Sequence, residues 1–171
     1  NDNKILEFNV TPSNLEALSI NGWNPNKNSI NFSTDKLQAL SLTNSEVNIT
    51  LPTEFKNMPE LRALNISGSP FTTLDFEYES SNAKLASIIA ESCPSLTKIS
   101  LKNTDELSEL KLNGCESLSR LTINGELTNN ITSLTKLQTI DVSNTKITSL
   151  VGEYGSGAEF EMSIEATHET F

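Results

Sequence analysis

A chain of 171 residues with 36% hydrophobic content fits one domain with a single core. Its 22 acidic and 12 basic side chains leave a formal charge of -10, which argues against nucleic acid and anionic membranes, because phosphate-rich partners need a basic footprint. No run of eighteen apolar residues occurs, so no membrane span is predicted, and the polar start Asn1-Asp2-Asn3-Lys4 is not a signal peptide.

The chain opens with Ile5, Phe8 and Val10, three apolar residues spaced L-x-x-L-x-L, which predict a first strand in a front cap over residues 1–14. The same spacing returns at Leu15/Leu18/Ile20, Leu37/Leu40/Leu42, Leu61/Leu64/Ile66, Phe71/Leu74/Phe76, Leu85/Ile88/Ala90, Leu96/Ile99/Leu101, Leu107/Leu110/Leu112, Leu118/Leu121/Ile123 and Leu137/Ile140/Val142. A chain turning sharply out of a short strand needs positive φ, which Gly and Asn adopt readily. Gly22, Asn44, Gly68, Asn103, Gly114, Gly125 and Asn144 stand two places after their triads, whereas Pro12, Tyr78 and Ser92 follow the less regular ones. Ser45, Ser69, Thr104, Cys115 and Thr145 come one place later, small groups able to point inward and hydrogen-bond neighbouring backbone. Cys93 shares that register with Cys115, so the two are read as buried thiols stacked in successive turns rather than as a disulfide scaffold.

Between the triads, residues 21–36 and 124–133 are rich in Asn, Ser, Thr and Gly and read as loops. The segment from Leu51 to Leu61 predicts a short helical turn, with Pro52 suited to its first position and Pro59 ending it. The stretches before Ile99 (IAESCPSL) and at Leu137 (ITSLTKL) look similar. Near the end, Phe160, Met162, Ile164 and Ala166 alternate with polar residues, the period of a strand with one buried face. Residues 151–171 are therefore read as a C-terminal cap entered through Gly152, Gly155 and Gly157.

Strong triads start at 15, 37, 61, 96, 107, 118 and 137. Two rhythms coexist: steps of 22 to 24 residues suit one full coil, and steps of 11 suit half a coil, which would place strands on both long sides in the middle of the chain. The side faced by each strand after residue 70 is left open by this phase.

These triads, with "LQALSLTNSEV", "CPSLTKISLKNTDEL" and "LTKLQTIDVSNTKITSL", resemble the leucine-rich repeat family over roughly residues 15–150, with likeness to bacterial surface and secreted members. The departure is that Ser, Thr or Cys replaces the family's ladder Asn throughout. The resemblance implies an α/β, β-rich solenoid: parallel strands in coils of about 22 residues, short convex helical turns and a cap at each end. It also implies a non-enzymatic binding or adhesion module, with protein partners and a secreted or cell-surface location.

No catalytic set assembles from the sequence. His168 is the single histidine and lies in an acidic tail, which removes the partner that Ser/His, Cys/His or His-based metal chemistry requires. The glycines of the tail lack the Lys-Ser/Thr of a phosphate loop. Asp75, Glu77 and Glu79 alternate along a strand and would offer oxygen ligands to calcium, although such a row is more commonly a solvated face. Five N-x-S/T sequences begin at Asn9, Asn31, Asn48, Asn65 and Asn130, a number that chance supplies in so polar a chain. No cofactor or metal is expected.

A binding surface is instead expected on the outward residues between the buried aliphatics. Early strands offer a small, neutral face through Ala17, Ser19, Ala39, Ser41, Ala63 and Asn65. Later ones offer Lys98, Ser100, Lys102, Lys111, Arg120, Thr122, Asn124 and Asp141, and Trp23 is an anchor candidate in the loop after the first strong strand. If the 22-residue phase holds, Lys98, Lys102 and Arg120 share one side, with Lys111 on the other. They would recognise an acidic partner or ligand or else serve solubility and charge balance over an exposed sheet.

Overall fold

The computed structural model describes residues 8–10, 14–22, 30–46, 54–80, 83–127, 130–150 and 161–163. In chain order these form β1 (Phe8–Val10), β2 (Ala17–Asn21), β3 (Ile30–Phe32), β4 (Ala39–Thr43), a 3-10 turn (Phe55–Asn57), β5 (Ala63–Asn65), β6 (Thr73–Glu77) and β7 (Ser87–Ile89). They continue as β8 (Lys98–Lys102), β9 (Glu109–Lys111), β10 (Leu121–Ile123), β11 (Glu126–Leu127), β12 (Thr139–Asp141) and β13 (Glu161–Ser163). Each predicted triad coincides with a strand, because its second and third members lie two residues apart and so share one face.

The strands stack as a parallel β-solenoid with two long sides. One side is a seven-stranded sheet ordered β13-β12-β9-β7-β5-β4-β2, and the other is a four-stranded sheet ordered β11-β10-β8-β6. β1 and β3 form a separate two-stranded parallel sheet. From β6 to β10 successive strands alternate between the two larger sheets, so the half-coil rhythm is real and the phase is settled: β7, β9 and β12 lie on one side, β6, β8 and β10 on the other. Registers fall on equivalent triad residues, as in Leu40↔Leu64, Leu64↔Ile88 and Ile88↔Leu110. The inward aliphatics of both sheets meet in one cluster running from Ile20 to Ile147, most of them fully buried. Sequestering a leucine in this way stabilises by about 1.5–3 kcal/mol, so the repeat itself supplies the driving force for stacking.

Two columns of conformation and polarity hold the coils in register. Gly22, Asn44, Gly68, Gly114 and Asn144 on the seven-stranded side all have positive φ, as do Asn103 and Gly125 on the other. Ser92, which breaks the Gly/Asn pattern, adopts the same conformation with φ 53°, so the turn survives where the preferred residue does not. This position extends the ladder beyond the strands: the N–H groups of Gly22, Asn44, Gly68, Ser92 and Gly114 donate to Thr43, Ser67, Glu91, Asn113 and Ser143 carbonyls at 2.8–2.9 Å. One residue later the small side chains point inward as expected. Ser69 Oγ donates to Leu42 O at 2.7 Å, Cys93 Sγ to Ile66 O at 3.3 Å, and Cys115 Sγ to Ala90 O at 2.8 Å. Both cysteines are free and buried. The sulfur of Cys93 and burial hold the Cys115 thiol well above the ordinary cysteine range, which leaves it an inert part of the ladder.

Three local expectations are corrected. Among the described residues a single helical turn exists, Phe55–Asn57, and the stretches leading to Leu96 and Leu137 are plain turns. Half a coil is too short for a helix, and single bonds close these bends instead, such as Leu96 N–H to Cys93 O at 3.2 Å and Leu137 N–H to Leu134 O at 3.0 Å. The supposed loop 21–36 contains β3, and β1 pairs with it rather than with the seven-stranded sheet, so residues 8–10 do not prolong that sheet. The supposed loop 124–133 contains β11, antiparallel to β10. Asn124 and Gly125 both take positive φ, 51° and 82°, the requirement of a two-residue hairpin turn. At the other end β13 pairs with β12 through Ile140↔Met162 as the final strand of the seven-stranded sheet. Trp23, His168 and the glycines at 152, 155 and 157 lie outside the described residues.

Candidate functional site

The seven-stranded sheet presents its outward side chains in two registered rows. One runs Ala17, Ala39, Ala63, Ser87, Glu109, Thr139, and the other Ser19, Ser41, Asn65, Ile89, Lys111, Asp141. Because the first members of each row are small, β2, β4, β5 and β7 leave a shallow open trough of about 310 Å³ along the sheet, floored by the backbone around Leu18, Leu40 and Leu64. Ile89 is the apolar side chain at its far end, and Asn65 fixes its own strand end by accepting the Ser67 N–H at 3.0 Å.

Charge begins where the trough stops. Glu109 accepts a hydrogen bond from Ser87 Oγ at 2.6 Å and an ion pair from Lys111 Nζ at 3.0 Å. The Ser87 hydroxyl first, and then Lys111, hold its carboxyl below the usual glutamate range, while Glu109 raises the lysine. Asp141 Oδ1 accepts the Ser143 N–H at 2.9 Å, so it shapes the end of β12.

The four-stranded sheet is different in chemistry. Its rows run Thr73 beside Lys98, Asp75 beside Ser100 and Thr122, and Glu77 beside Lys102. Asp75 is committed structurally, with Oδ1 accepting the Glu77 N–H at 3.0 Å and Oδ2 lying 3.5 Å from Lys56 Nζ. Among the described residues no group of three or more His, Cys, Asp or Glu is placed to hold a metal ion, so Asp75, Glu77 and Glu79 do not assemble into one.

The predicted site residues therefore divide between two sides. Lys98, Ser100, Lys102, Arg120, Thr122 and Asn124 belong to the four-stranded sheet and its edges, and Lys111 and Asp141 to the seven-stranded sheet. Ser100 and Thr122 are buried rather than exposed, at 1% and 7%, which corrects their expected place on an accessible surface. Sequence reading missed Ser87 and Ile89 because their triad lacks Gly or Asn after it, and missed Leu127 because its strand was taken for a loop. The Asn124-Gly125 pair was the available signal for that hairpin.

Among the described residues no helix is long and apolar enough to cross a membrane. No protein family, curated protein or solved structure is matched by this chain.

Proposed function

We propose that this chain is a non-enzymatic recognition module of the leucine-rich-repeat type, which binds a protein partner on the outer face of its seven-stranded sheet. The observation that supports this reading most is the open trough over β2, β4, β5 and β7, where four neighbouring strands keep small side chains in register and leave the sheet surface accessible. A partner loop or strand laid there would contact backbone and small side chains over several coils, with Glu109 and Lys111 marking the polar end. A secreted or cell-surface location belongs to the same reading, through the resemblance to bacterial repeat proteins.

A structural spacer or capping role in a larger surface protein is the second reading. The neutrality of the trough favours it, since small, flat rows also suit close packing against a neighbouring domain. Ser41→Trp separates the two. It fills the trough from an outward position, so recognition predicts that a partner captured from the native surroundings is lost while the circular dichroism spectrum and melting temperature are kept. Capture unchanged by both Ser41→Trp and Ala63→Trp contradicts recognition by this face.

A further inference from the structure

The four-stranded sheet carries a charge arrangement that folding does not call for. Lys98 begins β8, and continuing the β8–β10 register by one residue sets Arg120 beside it on the outer face. Neighbouring strands lie about 4.8 Å apart, so two like charges stand side by side, which disfavours the sheet. Lys102 ends the same strand in register with Glu77 but without an ion pair to it, and Lys146 stands beside the turn into β10, where its N–H donates to Leu118 O at 2.8 Å. All four side chains are exposed and none has an ion pair or side-chain hydrogen bond among the described residues. Lys56, Lys84, Lys111 and Lys136, by contrast, each hold a carboxylate. Among the described residues Lys36 and Arg62 also lack an ion pair, but they lie around Glu60 at the entries to β4 and β5. The four cations on and beside the four-stranded sheet are thus the ones set away from such a carboxylate, in a chain of net charge -10.

A second feature lies between them. Leu127 is 59% exposed, the exposed large hydrophobic side chain among the described residues. The antiparallel register Thr122↔Leu127 puts it in the central row with Ser100 and Thr122, whose side chains are buried, so Leu127 is the exposed member of that row. An apolar knob flanked by cations is the form of a small binding hot spot.

We propose that this face docks an extended acidic polypeptide segment that carries an aliphatic side chain. Its carboxylates meet Lys98, Arg120, Lys102 and Lys146, and its aliphatic group packs on Leu127. A polypeptide fits better than a long polyanion for two reasons. A uniformly charged polymer would meet Asp75 and Glu77, which stand beside Ser100 and Lys102, whereas a short peptide can set its carboxylates apart from them, and a phosphate or sulfate backbone offers nothing to Leu127. This face lies on the side away from the trough, and the proposal stands without the reading given to that trough.

The test is fluorescence anisotropy with a labelled synthetic peptide of glutamates around a central leucine. The comparisons are its lysine counterpart, a leucine-free polyglutamate of equal length and a sulfated heparin octasaccharide. The leucine-containing acidic peptide is expected to bind best and to weaken as salt rises from about 50 to about 300 mM. K98E/R120E weakens it about tenfold or more, and Leu127→Ser removes about fivefold together with the preference over polyglutamate. Ser41→Trp leaves this binding unchanged, which keeps the two faces separable. The proposal is overturned by absence of salt-sensitive binding, by equal binding to the charge-reversed protein, by the octasaccharide binding more tightly than the peptide, or by loss of peptide binding on Ser41→Trp. Thermal melts of each variant establish that it is folded, and Lys102→Glu, at the opposite end of β8, provides an independent loss of binding.

Discussion

The two long sides of this solenoid are built by one repeat and share one core, yet their outer faces have diverged. On the seven-stranded side the outward rows are small and neutral across four strands, and the charges that follow in those rows, Glu109 and Lys111, pair with each other. On the four-stranded side the outward rows hold unpaired cations around an exposed leucine, and the sheet ends in an antiparallel hairpin rather than another parallel strand. The difference teaches that inward and outward positions answer to separate demands. Inward residues are interchangeable aliphatics because only volume and apolarity matter there, whereas outward residues are free to vary without disturbing the stack.

The shared core gives the largest effect. Leu110 in the seven-stranded sheet and Leu121 in the four-stranded sheet are both 0% exposed. Truncating either to alanine is expected to cost about 2–5 kcal/mol, read from urea unfolding, in a single transition for both variants. A separate early transition for Leu121→Ala alone would break the sheets into independent units.

A sharper contrast concerns two glycines of the positive-φ column. At Gly68 a Cβ would come within 2.3 Å of Asn44 Oδ1, disturbing the Asn44 hydrogen bond to Asn21, whereas at Gly22 no atom lies within 4 Å. Both substitutions to alanine force a side chain into the left-handed region, at about 1 kcal/mol, so Gly22→Ala should stop there. Gly68→Ala should cost about 0.5–1 kcal/mol more, because the exposed Asn44 side chain must turn aside and give up its hydrogen bond to Asn21, measured by the same unfolding. Equal losses would show that the column is held by backbone conformation alone.

A smaller and opposite effect is expected on the charged side. Lys98→Glu turns the Lys98–Arg120 neighbours into an attractive pair and should raise stability by about 0.2–1 kcal/mol, seen as a higher melting temperature. A lower one would mean that the two cations do not disfavour the fold.

The smallest effect is a pH dependence at Glu109. Because its folded-state pKa is depressed, its contribution is complete above the usual glutamate value of 4.5 and is lost as pH falls through the lower folded value. Glu109→Gln should flatten that acid limb of the stability curve. The paired Lys111 acts in the reverse sense, its contribution being present below the usual lysine value and lost as pH rises through its raised one.

Much of this architecture was legible in the sequence. The L-x-x-L-x-L spacing located strands because it encodes two inward residues of one strand plus a buried residue in the turn before it, and the Gly/Asn position located the turns because positive φ excludes most side chains. Ser92 shows the limit of that test, since the surrounding ladder imposes the conformation on a residue that does not favour it. The side taken by each later strand was not legible, because half-coil and full-coil spacings use identical triads and only three-dimensional pairing distinguishes them. The cationic trio was visible as residues, and its grouping depended on that phase. Leu127 and Lys146 were not visible as part of any face, the first because a two-residue strand carries no periodicity, the second because its place follows from stacking after β10.

The alternation of sides is the claim on which both faces depend, and backbone nuclear Overhauser contacts in isotopically labelled protein test it most directly. The account predicts cross-strand contacts linking Leu74 with Ile99 and Ile99 with Leu121 on one side, and Ile88 with Leu110 and Leu110 with Ile140 on the other. Cross-strand contacts placing Ile99 in register with Leu110 would put consecutive triads in one sheet and contradict it.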